Sequence, residues 1–86
     1  MKLWLLRPVE KLPTEDLATN PWEPWYDKAF GFVVRAESER DAREIANANG
    51  GAEATANPWL DSRLSICEEL TNAGAPGLVL RDFASA

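Results

Sequence analysis

The 86-residue chain contains no histidine, and that absence excludes more chemistry than any other feature. Histidine is the usual general base for serine and cysteine nucleophiles and the commonest zinc ligand, so both kinds of site lose their main component. The single cysteine, Cys67, rules out an intramolecular disulfide and a cysteine-rich zinc site. Mid-strand among Ile66 and Leu70, it reads as an inert, partly buried thiol. The glycine patterns that cradle phosphates or present a nucleophile (GxGxxG, a Walker loop, GxSxG) are missing as well. Long apolar runs are also lacking. The opening MKLWLLRPVE is apolar only from Leu3 to Leu6 before Arg7-Pro8. Such a run is too short for a signal-peptide core or a membrane span, so the expected address is the cytoplasm of a bacterial host cell.

Basic runs are absent too. Fourteen acidic against nine basic residues leave a net charge of −5. Phosphate backbones repel such a chain unless its cations cluster, and here they are spread from Lys2 to Arg81. General nucleic-acid binding is therefore not expected; an acidic surface instead suits docking on a basic patch of another protein. The carboxylates Asp27, Asp61, Glu68, Glu69 and Asp82 stand at no spacing that resembles a hydrolase or metal site. The chain thus reads as a binding protein rather than an enzyme, with no catalytic residue, no cofactor and no metal.

What is present is enough apolar material for one core. Hydrophobic residues make up 45% of the chain, with four tryptophans, three phenylalanines and a tyrosine, and residues 1–86 read as a single domain. KLWLLR (2–7) reads as a strand, apolar on both faces and so central in its sheet. FGFVVRA (30–36) alternates, with Phe30, Phe32, Val34 and Ala36 on one face. A helix follows at once, with Ser38 as N-cap and Glu39 and Asp41 in its first turn. Ala42, Ile45, Ala46 and Asn49 form its apolar stripe, and Asn49-Gly50-Gly51 ends it. Phe30, Phe32 and Val34 are expected to face that stripe, while Arg40, Arg43, Glu44 and Asn47 are read as solvated. Residues 51–57 read as a weak linker. LSICEEL (64–70) and GLVLRDF (77–83) complete the pattern as a hairpin across TNAGAPG. The expected fold is α+β: a small four-stranded, mostly antiparallel sheet with one helix on one face.

The segment that asks for a function is NPWEPWYDK, residues 20–28. Trp22, Trp25 and Tyr26, braced by Pro21 and Pro24 and followed by Asp27 and Lys28, resemble the wall of a site that stacks flat rings or grips an apolar anchor. Aromatic faces beside a cation suit a nucleobase and its phosphate, and the same residues would make a protein-interface hot spot. A third reading has the rings capping a small core and holding the loop down. Arg7 and Arg35 join as anion partners if their strands bring them to one face, as does Arg81. Trp59 joins because Asn57-Pro58-Trp59 repeats Asn20-Pro21-Trp22.

MKLWLLRP, NPWEPWYDKAFGFVVRA, PWLD and the closing DFASA together resemble a family of small phage and prophage proteins carried by bacterial mobile elements. The resemblance brings a setting and no activity. It implies a protein that counteracts a bacterial immune system, by sequestering a nucleotide-like signal or by docking on a host defence protein. A structural or regulatory accessory role is the remaining alternative. The open strand edges of so small a sheet also make a homodimer an expectation.

Overall fold

The computed structural model describes residues 1–10, 20–22 and 27–81. Three strands form one antiparallel sheet in the order β2-β1-β3: β1 is Lys2–Pro8, β2 is Phe32–Ala36 and β3 is Ser65–Leu70. The apolar run at the start of the chain is indeed the central strand. Trp4 lies between Val34 and Glu69, and Leu6 between Phe32 and Cys67. Side chains alternate along a strand. This register therefore sends Trp4, Leu6, Phe32, Val34, Ala36 and Cys67 to one face, and Leu3, Leu5, Arg7, Val33, Arg35, Ile66, Glu68 and Leu70 to the other.

Helix α1, Glu39–Ala48, covers the first of these faces. It starts where the sequence says it should: the Ser38 hydroxyl accepts the Asp41 N–H at 3.2 Å, and Glu39 and Asp41 stand in the first turn. Ala42 and Ala46, one turn apart, are fully buried and let the helix lie close on Val34 and Ala36. The indole N–H of Trp4 donates to the Ala36 carbonyl at 3.0 Å, tying the edge strand to the central one on the helix side.

Three expectations need correction. Ile45 lies off the stripe and is 43% exposed; Arg43 takes its place in the buried surface. Phe30 precedes β2 and is 62% exposed, so only Phe32, Val34 and Ala36 of the FGFVVRA alternation reach the core. The four-stranded sheet has three strands among the described residues. Residues 77–81 of the expected fourth are exposed and form no strand, while 82 and 83 lie outside the described residues. Among the described residues no backbone hydrogen bond ties 71–80 to the sheet. A two- to five-residue primed turn closes a hairpin; the stretch after Leu70 instead spends six residues, ending on Pro76, which has no N–H to give a ladder.

The supposed linker is ordered. Ala52–Ala56 and Pro58–Leu60 are two 3-10 turns joined at Asn57, whose φ of 52° is left-handed, a conformation Asn tolerates better than most residues.

Candidate functional site

The two Asn-Pro-Trp turns converge. The Asn20 side chain accepts the Trp22 N–H at 2.9 Å, closing the first turn, and Pro58 starts the short 3-10 turn that carries Trp59. The two indoles meet edge to face with centroids 4.8 Å apart, and Phe32 meets Trp59 the same way at 4.9 Å. Trp59 has no exposed surface at all. The Trp22 indole N–H donates to the Leu64 carbonyl at 3.2 Å. Both rings are therefore committed to the core, as the core-cap reading supposed for the aromatic segment. Trp25 and Tyr26 lie outside the described residues.

The stem of the aromatic segment is fastened by a residue the sequence did not single out. Glu53 is 1% exposed, with no cation at hydrogen-bonding distance. Its carboxylate accepts the Ala29 N–H at 2.8 Å, the Gly51 N–H at 3.0 Å and the Trp59 indole N–H at 2.9 Å. Such a buried carboxylate survives because neutral donors replace its water. The Asp27 carbonyl accepts from Ala52, and a Cβ at Gly51 would overlap that carbonyl, so the close approach requires glycine. The Asp27 side chain itself is exposed and its φ is +35°. Lys28 donates to the Trp22 carbonyl at 2.6 Å and sits over the Phe30 ring at 5.0 Å. Of the nine candidates, Trp22, Asp27, Lys28 and Trp59 thus form one fixed cluster with Glu53.

Arg43 forms a second buried polar centre. It donates to Glu39 at 2.8 Å, to the Trp59 carbonyl at 3.1 Å, and to the Ser65 hydroxyl and carbonyl at 2.8 and 3.2 Å. The sequence reading made it solvated because Glu39-to-Arg43 spacing is ordinary on an exposed helix. No pattern in the sequence marks Glu53. Both are held by tertiary partners far along the chain.

Arg7 and Arg35 do come to one face, the one α1 leaves uncovered. Arg35 is opposite Leu3 on β1, four residues from Arg7, which puts the two roughly 14 Å apart along the strands. Arg7 lies 3.9 Å from Glu68. Leu3 and Val33 are exposed on this face while Leu5 is buried, and at the Phe32 end of β2 a cleft of about 220 Å³, lined from both faces by Leu5, Leu6, Phe32, Val33, Leu80 and Arg81, opens beside the exposed Phe30. The whole is an apolar hollow with an arginine at its rim.

Reactive chemistry is scarce among these residues. Burial pushes the Cys67 thiol up, with Glu39 and Glu68 adding to the rise against the pull of Arg43, so it stays protonated at neutral pH. Among the described residues no three carboxylates and thiols gather as a metal site, and no helix is long and apolar enough to cross a membrane. No protein family, no curated protein and no solved structure matches the chain.

Proposed function

We propose that this chain is a non-catalytic binding protein of a phage or mobile element, and that it counteracts a bacterial immune system by occupying one of that system's proteins. The setting rests on the resemblance of its NPWEPWYDKAFGFVVRA block. The choice of mechanism rests on one observation: the sheet face opposite α1 carries exposed apolar side chains, Leu3 at 39% and Val33 at 55%, around a buried Leu5 and beside a cleft where Phe30 is 62% exposed. Apolar side chains gathered at a rim of arginines suit a protein surface. The nucleotide-sequestering alternative asks for free aromatic faces. Among the described residues, Trp22 and Trp59 pack on each other and Trp59 on Phe32, and Arg7 and Arg35 spread positive charge along the sheet rather than focusing it.

The test uses a bacterial host carrying a defence system that the chain relieves during phage challenge. Val33→Glu, which places a carboxylate on the open face, is expected to abolish relief while leaving the circular dichroism spectrum unchanged. A panel of cyclic and adenine nucleotides is expected to leave the melting temperature where it was. A rise of about 5 °C or more with one of them, kept in Val33→Glu, would transfer the function to nucleotide sequestration.

A further inference from the structure

β2 is an edge strand, with a vacant position beside it among the described residues. The sheet order leaves its outer side unpaired, and among the described residues no backbone hydrogen bond from outside the sheet reaches residues 32–36. An open edge is normally protected by a proline, a bulge or several charges; β2 reads FVVRA and has only Arg35. Apolar side chains flank the vacancy on both faces. On the uncovered face it is Val33. On the helix face it is Ile45. With about 100° per residue, Arg43 and Ile45 lie on opposite flanks of the Ala42–Ala46 stripe. Arg43 bonds to Ser65 at the start of β3, so the Ile45 flank turns toward β2. A second, independent observation concerns charge. Among the described cations, Arg35 is the one with neither an ion pair nor a hydrogen bond.

From this geometry we infer that β2 receives an extended acidic segment of the partner protein as an added strand. The inference rests on the protein-docking reading above. The segment's backbone pairs with β2, and its aliphatic side chains alternate between Ile45 on one face and Val33 on the other. A carboxylate meets Arg35. A second copy of this chain fits the site poorly. A stable dimer needs about 800 Å² from each partner, more than a five-residue edge supplies. The chain's own tail approaches through Leu80 and Arg81, which line the cleft beside Phe30 and Val33, but Leu78 and Val79 are 84% and 77% exposed and, among the described residues, no backbone hydrogen bond joins the tail to β2.

The experiment has two stages on the full chain. Amide hydrogen exchange of the free protein is measured first. Fast exchange is expected at the outward N–H groups of β2 and slow exchange along β1. Protected β2 amides, whether from the tail or from a dimer seen by light scattering, would overturn the inference. A random seven-residue peptide display library is then selected against the wild type and against Arg35→Glu. Enrichment of aliphatic and β-branched residues around Asp or Glu is expected for the wild type, with a switch to Lys or Arg for the variant. The best acidic peptide should slow exchange at β2, and N-methylation of its alternate amides should weaken it by about tenfold or more. Selection without charge preference, no enrichment at all, or protection that maps to β3 or α1 overturns strand addition. In the last case docking on a protein survives, because peptides still bind.

Discussion

On the helix side of the sheet, polar and apolar contacts are interleaved. Glu53 binds three N–H groups, Arg43 binds two carbonyls, a hydroxyl and a carboxylate, and Trp59 lies between them with its indole on one and its carbonyl on the other. On the far side, Leu3 and Val33 face outward, and the salt bridge from Arg7 to Glu68 is long and exposed. A domain of this size buries only about 60–65% of its unfolded surface, so it cannot close both faces equally. Stability is concentrated on one side, which leaves the other free to be shaped by a partner.

The sharpest way to break this contrast is to remove its centre. Glu53→Ala leaves the buried Trp59 indole N–H and two part-buried backbone N–H groups without an acceptor and is expected to cost about 2–4 kcal/mol in urea denaturation, a large share of the total for a small domain. Arg43→Met keeps the apolar stem but strips the donors from Trp59 and Ser65, with an expected loss of about 2–3 kcal/mol. Phe32→Ala removes a partly buried ring from the edge of Trp59 and should cost about 2 kcal/mol, below the usual range for a fully buried Phe. On the open face, Val33→Glu is expected to move stability by no more than about 0.5 kcal/mol. A loss there as large as that of Phe32→Ala would erase the distinction between the faces.

The smallest expected effect is one of acidity. Hydrogen bonds from the Arg63 side chain, then from its backbone N–H, hold the Asp61 carboxyl below the usual carboxylate range. A depressed folded-state value means that its stabilisation is present above the ordinary carboxylate range and is lost as pH falls through the lowered value. Urea midpoints from about pH 5 down to pH 2 should therefore fall less steeply for Asp61→Asn than for the wild type.

The strands and the helix were legible because their signals are local. The apolar run of KLWLLR, the alternation in FGFVVRA, the Ser38 cap and the Asn49-Gly50-Gly51 stop each depend on residues close by in the chain. The fourth strand failed for the opposite reason: GLVLR has strand composition, but pairing needs a register that the Gly74 and Pro76 stretch does not provide. Phe30 has strand composition too, yet it stands before the ladder begins. Of the site, the sequence reading found the aromatic cluster and the two arginines of one face. It missed Glu53 and Arg43 because a buried charge looks like any surface charge until its distant partners are in place. It also read the two Asn-Pro-Trp turns as separate presentations of an aromatic ring, when their rings pack on each other.

That packing has an optical consequence. Two indoles with centroids 4.8 Å apart and planes crossed at 65° lie close enough for their electronic transitions to couple, in a fixed and chiral arrangement. The wild-type chain should therefore show a paired positive and negative signal in ultraviolet circular dichroism that Trp22→Phe and Trp59→Phe each remove. Residues 20–22 are anchored by that ring contact, the Trp22-to-Leu64 hydrogen bond and the Lys28 bond to the Trp22 carbonyl, so the signal's strength measures how firmly the turn is seated. The molecule carries its own gauge, with no label attached, for whether the arrival of a partner tightens or loosens that corner.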